Sequence, residues 1–351
     1  MSIGSSAVRR YLLWIRYDGS RFPEMATGGT GLGVVDMLYE TIADSLFGPR
    51  PMSHPLRDSL KLSPSSRTDA GVHALRNALI FQAPNEIGSL DSPTDSKAAM
   101  HLRQWNEAIR EFSPGAMKVL DMHGVSPGFC IRRHVAYRRY TYRLAVCRDW
   151  DLWESIRETP SRVCFSERNY AWRIPPGFSP EKASDACATF RGEHVMGSFF
   201  KHTNRDKRNE PYSRSALRNI LLCQISKGEA YSIPNDIYDY YNVTIVARSF
   251  VREQIRRMMS CVVLHGYDRL SLERILWLLR NPISSNFYDM RIPVAPPWGL
   301  FLTDVVFPPE QFTNPIPYYR HAWDPRETDV EADEQMDDEE EAAEVVVAGS
   351  V

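Results

Sequence analysis

The ten residues 137–146, YRRYTYRLAV, alternate so regularly that Tyr140, Tyr142, Leu144 and Val146 share one side of an extended strand. Strand-like runs recur at 11–17, 78–81, 117–121, 238–246 and 299–306. Helical spacing marks Val34, Val35, Leu38, Ile42 and Leu46, then Leu102, Trp105 and Ile109, and a further helix over 270–279. Ser179-Pro180-Glu181 fits the cap and first turn of another. These elements follow one another without a regular strand-helix-strand rhythm, and several strands are joined by short turns. That pattern predicts an α+β fold with largely antiparallel sheets and helices packed on them.

A chain of 351 residues exceeds one comfortable domain. Ser126-Pro127-Gly128 breaks it near the middle, which predicts two α/β-sandwich-like halves, residues 9–128 and 129–309. Residues 148–180 read as a long connection containing Trp and Pro. Residues 310–351 form an acidic, low-complexity tail, the composition of a solvated, disordered polyanion.

The net charge of −2 conceals an asymmetry, because residues 324–344 carry twelve acids and one arginine, a charge of −11, which leaves +9 elsewhere. A basic body suits a polyanionic partner, since Lys and Arg neutralise phosphates and release counterions. Arg138, Arg139, Arg143, Lys201, Lys207, Arg208, Arg214 and Arg218 are candidates for such a track. The alternative is an ordinary charged surface.

Several other classes are disfavoured. No apolar run approaches the roughly 20 residues that cross a bilayer, so no membrane partner is expected. Cys130, Cys147, Cys164, Cys187, Cys223 and Cys261 contain no CxxC pair, so buried free thiols are expected rather than a zinc site or a disulfide framework. The glycine run 28–33 lacks both the GKS/T continuation and the GxGxxG spacing, and reads as a connector rather than a phosphate loop. The first ten residues are serine-rich and acid-free, which leaves the compartment open between mitochondrion and cytoplasm.

The chemistry is concentrated in residues 65–74, SSRTDAGVHA. In an extended segment, residues two apart face the same way, about 6 to 7 Å between alpha carbons, so Arg67 is placed to keep Asp69 ionised. Asp-Ala-Gly is equally a turn sequence, since Asp bonds to nearby backbone and Gly takes a positive φ. His73 is a candidate general base or a packing residue. Over 250–263, Val251, Ile255, Met258, Met259 and Val262 form a core stripe, with Arg252 and Arg256 projecting four apart from one face. A buried arginine there calls for a carboxylate, and Asp69 is the candidate; the alternative is a solvated helix face shared by Arg252, Arg256 and Arg257.

SSRTDAGVHA resembles the signature of the TruA-type pseudouridine synthases. The likeness continues in order through Tyr17-Asp18-Gly19, Phe129 with Arg132, Arg138-Arg139-Tyr140-Thr141-Tyr142, Gly192-Glu193-His194, Ser198-Phe199, Ser213-Arg214-Ser215 with Arg218, Phe250-Val251 with Arg256, and Ala295-Pro296 with Gly299-Leu300. Where bacterial-type enzymes follow YDG with a Gly-Trp-Gln element, this chain has Ser20-Arg21-Phe22-Pro23-Glu24-Met25, closer to the eukaryotic tRNA pseudouridine synthase-like 1 branch.

The resemblance implies that Asp69 is the catalytic carboxylate, that Tyr140 packs on the target base and that Arg256 partners Asp69. It assigns Arg67 to binding and displacing the nucleotide, and places the active cleft between the two halves. It implies an RNA substrate, tRNA foremost, a homodimer, and no metal or nucleotide cofactor. The alternatives are a catalytically silent RNA-binding homologue of the same fold and a basic structural module with no RNA role.

Overall fold

The structure is a computed structural model that describes residues 8–25, 31–49, 57–84, 96–126, 128–158, 167–201, 216–230 and 237–313. Residues 28–30 of the glycine run, Cys164, Lys207, Arg208, Ser213, Arg214, Ser215 and the tail beyond 313 lie outside them. The fold is α+β, with ten strands and eight helices among the described residues. Two compact units interleave along the chain, one built from residues 1–67, 76–136 and 307–351, the other from 68–75 and 137–306.

In the first unit, β1 (Val8–Tyr17) leads to α1 (Val34–Phe47), β2 (Lys61–Pro64), β3 (His73–Pro84, from residue 76 onward), α2 (Ser96–Phe112) and β4 (Met117–Val125). Strand β1 is central, between β4 and β3, and pairs antiparallel with β4. This explains why Tyr11 through Ile15 are buried on both faces. Tyr11 meets Phe81 at 5.5 Å between ring centroids, and Phe81 meets Trp105 of α2 edge-on at 6.2 Å. Trp14, three residues on, turns to Phe307 at 5.8 Å, and Phe129 joins Phe307 at 5.3 Å. Asn106 ties α2 to β4 by giving and receiving hydrogen bonds at the Val119 backbone, 2.9 and 2.8 Å. The breaker at Gly128 is a turn, with the Phe129 amide donating to the Ser126 carbonyl at 2.9 Å.

The second unit contains β5 (Tyr137–Cys147), α3 (Trp150–Glu158), β6 (Trp172–Ile174), α4 (Pro180–Thr189), β7 (Gly192–Val195), β8 (Leu217–Lys227) and β9 (Tyr238–Ala247). After these come α5 (Gln254–Gly266), α6 (Leu272–Arg280), α7 (Ser284–Asp289) and β10 (Leu300–Val306). Helix α8 (Glu310–Thr313) falls in the first unit. The strand order is β10-β5-β9-β8-β7, antiparallel throughout, with β6 parallel on β5. The first residues of β3, His73 and Ala74, pair parallel with Phe301 and Leu302 of β10. Gly299 is required where β10 begins, because a Cβ there would lie 2.8 Å from Tyr142 Cε1 and 3.0 Å from the Arg143 carbonyl oxygen.

Several expectations are corrected. The 148–180 stretch contains α3 and β6, and Leu152 and Trp153 of α3 pack on Ala145, Cys147, Tyr238 and Tyr240. Arg143 is buried, 3.2 Å from Glu167 and donating to the Glu229 carbonyl, so it lines no track. Arg138 is buried too and donates to the Arg248 carbonyl. The five described cysteines are buried free thiols, as expected. Among the described residues no helix is long and apolar enough to cross a membrane.

Candidate active site

The Asp69 segment folds as a β-turn. The Val72 amide donates to the Asp69 carbonyl at 3.1 Å, and Gly71 has φ +80. A positive φ at the third position is the type II requirement, which glycine meets without cost. Gly71 is needed twice over, since a Cβ there would sit 2.9 Å from Pro297 Cγ. Gly71→Ala should therefore lower stability by about 1 to 2 kcal/mol and displace Asp69 enough to cut kcat/KM about 10²-fold. Parallel unfolding and turnover assays check this; wild-type values for both would show that the turn tolerates a side chain.

The turn and Arg256 come together, although Asp69 precedes it by 187 positions. Arg256 lies in the first turns of α5, and its Nη1 donates to Asp69 Oδ2 at 2.9 Å. Its Nε donates to the Ala295 carbonyl at 2.8 Å, which fixes the plane of the guanidinium. The Asp69 side chain is 24% exposed and that of Arg256 16%, so the pair is partly shielded yet open to solvent. Although Asp69 falls in the first half by sequence, residues 68–75 cluster with the unit that carries Tyr140 and Arg256.

Tyr140 sits on β5 opposite Leu302 and Ile245, with its ring edge-on to Phe250 at 5.3 Å. Tyr142, two residues on, is fully buried and donates to the Pro296 carbonyl at 2.6 Å. Burial pushes the Tyr142 phenol well above its ordinary pKa against the opposing pull of Arg256. It remains a neutral hydroxyl donor. Arg67 is exposed and belongs to the other unit, where Ser65 and Ser66 are held by the Ala78 and Asn77 contacts of β3.

His73 is a clamp. It is 1% exposed, stacked on Phe301 at 4.7 Å, and its Nε2 lies 2.9 Å from the Asn169 carbonyl and 3.2 Å from that of Trp298. Two carbonyl neighbours require Nε2 to carry the proton. Stacking on Phe301 and the two carbonyl contacts give His73 a packing role.

Sequence spacing missed Glu253. Helix α5 starts at Gln254, not at 250, because Glu253 takes a left-handed backbone at φ 61. Arg252 therefore precedes the helix and does not share a face with Arg256. Glu253 Oε1 accepts from Lys201 Nζ at 3.0 Å and lies 3.9 Å from Arg256 Nη1, while Oε2 is 3.3 Å from Arg257 Nη2. Lys201 is thereby committed to this cluster. Arg257, read from spacing as part of a solvated face, is 0% exposed, held by Glu253, the Ser198 carbonyl and the Tyr288 hydroxyl. Besides Asp69, the Ala295 carbonyl and Glu253 thus orient the Arg256 guanidinium. The only sequence signal was an acid placed just before a pair of helix arginines.

Among the described residues no group of three His, Cys, Asp or Glu side chains could hold a metal ion. The geometry therefore offers a carboxylate with a fixed guanidinium beside it, at a solvent-accessible turn.

Known proteins resemble this chain along most of its length. The family described as "tRNA pseudouridine synthase" matches residues 186–308. A tRNA pseudouridine synthase-like 1 of Homo sapiens is 29% identical over 316 residues, covering 86% of this chain and 92% of that protein. Its counterpart in Xenopus laevis is 27% identical over 309 residues, covering 86% and 92%. A tRNA pseudouridine synthase A of Thermus thermophilus is 27% identical over 308 residues, covering 87% of this chain and all of that protein. The SSRTDAGVHA turn, the β5 tyrosines and the α5 arginine stand in the same order as in the TruA-type pseudouridine synthases, which the chain resembles over most of its length.

Proposed function

We propose that this protein isomerises a uridine of tRNA to pseudouridine, with Asp69 as the reacting carboxylate. The observation that carries the reading is the 2.9 Å pair between Asp69 and Arg256 at the end of a glycine-dependent turn. The conversion breaks the N1–C1′ bond of uridine and forms a C5–C1′ bond. The proton on C5 is lost and one is gained at N1, so atoms balance without net oxidation. An ionised, fixed carboxylate serves each route into that exchange: attack at C1′, attack at C6, or removal of a ribose proton. Arg256 donates to Asp69 Oδ2 and holds the direction of the carboxylate.

The target base must leave its stack, which costs a few kcal/mol, and an aromatic ring offers about 1 to 3 kcal/mol of replacement stacking. Tyr140 supplies that ring in this reading, and its hydroxyl assists loss of the C5 proton. Tyr140→Phe keeps the ring and should lower kcat by about 10²-fold or more with KM preserved. Full activity would leave the ring as the useful part. Arg67 is assigned to holding the displaced nucleotide. Comparing pseudouridine maps of total RNA with and without this protein tests the reading as a whole: sites that vanish, in tRNA, are expected. RNA binding with unchanged maps would instead favour a silent homologue.

A further inference from the structure

Trp298 combines an open side chain with a fixed backbone. Trp298 is 42% exposed, close to Trp277 at 44% and below Trp150 at 57%, whereas Trp105 and Trp14 are 0% and 5% exposed. The 3-10 turn that carries it, Pro297–Gly299, is held on several sides. The Trp298 carbonyl accepts from His73 Nε2, the Pro296 carbonyl accepts from Tyr142, and the Ala295 carbonyl accepts from Arg256 Nε. Pro297 fills the space above Gly71 in the Asp69 turn. Four consecutive residues thus touch the catalytic turn, its arginine and the strand of Tyr140, and the fourth presents an indole to solvent.

Packing does not account for this tryptophan. An aromatic side chain gains its stability from burying its surface, and this one leaves much of that gain unrealised. We propose that Trp298 is a stacking platform for a nucleobase flanking the target uridine. The proposal rests on the reading above. Extruding one base leaves its neighbour with an uncovered face, and a rigid indole with two rotatable bonds covers one base at little entropic cost. A protein partner would need roughly 800 Å² on each side, so a single indole on the turn that packs against Gly71 matches a single base better.

The test measures tRNA binding with turnover blocked by Asp69→Asn, comparing Trp298, Trp298→Phe and Trp298→Ala in that background. Alanine should weaken Kd by about 5- to 150-fold, the range for losing one base stack, and phenylalanine should restore most of it. The indole emission lost between the Trp298 and Trp298→Phe proteins should be quenched when tRNA is added. That readout decides the matter even should the alanine variant fold poorly. Equal Kd for all three, or an unquenched indole, overturns the stacking role. Absence of tRNA binding and of pseudouridine formation by the unsubstituted protein overturns the functional reading instead.

Discussion

Asp69→Asn should lower pseudouridine formation by about 10² to 10⁴-fold or more while leaving tRNA affinity within a few-fold of wild type. The substitution is nearly isosteric and keeps an oxygen for Arg256 Nη1, now 2.9 Å from Oδ2, so the turn around Gly71 keeps its shape. What disappears is the negative charge that each route to the new C–C bond requires. Loss of the pair itself should cost little stability, because the aspartate side chain is 24% exposed and partly screened by water. Single-turnover assays with excess enzyme separate the chemical step from binding. Turnover within a few-fold of wild type would end the catalytic assignment of Asp69.

A second large effect is expected at Glu253, in stability as well as rate. Glu253→Ala leaves Arg257, at 0% exposure, with the Ser198 carbonyl and Tyr288 hydroxyl but no countercharge. Breaking a buried pair from one side costs about 3 to 5 kcal/mol. Catalysis should fall too, since Arg256 loses one of the two carboxylates near its Nη1. The effect depends on pH in a defined direction. Burial opposes ionisation of Glu253, but the Lys201 hydrogen bond and the charges of Lys201, Arg257 and Arg256 outweigh it and hold the carboxyl below its usual value of 4.5. A depressed carboxyl contributes stability above the unfolded value that is lost as pH falls through the folded one. Urea unfolding of wild type and Glu253→Gln should therefore show a gap at neutral pH that narrows as pH falls below the usual carboxyl value of 4.5. A gap that is constant with pH would mean the glutamate acts by shape alone.

Much of the site was legible because it is local. Asp-Ala-Gly dictates a turn through chemistry within four residues, and the structure closes it with the Asp69–Val72 hydrogen bond and the positive φ of Gly71. The need of Arg256 for a carboxylate also followed from the cost of burying a charge. What could not be read depends on partners far along the chain. Arg143 looks like a surface charge until Glu167 and Glu229 arrive beside it, and Arg257 until Tyr288 does. The start of α5 was misplaced because Val251 and Ile255 keep helical spacing across Glu253, whose left-handed φ is sustained by Lys201 and Arg257 rather than by any local preference. Helix α3 escaped notice because its few apolar residues gain meaning only against β5 and β9.

The interleaving of the two units bears on how the chain is made. Residues 68–75 leave the ribosome before any of 137–306, the partners with which they cluster, and Phe307 emerges after the Trp14 and Phe129 rings on which it packs. Neither unit has all its parts until residues beyond 300 have been added. Vectorial folding, one domain sealing before the next appears, is therefore closed to this protein. Until residue 301 is added, the Asp69 turn has no β10 to pair with. A nascent chain must carry Asp69 without Arg256 for 187 residues of elongation, and fragments cut between the halves should complement only when both are present together.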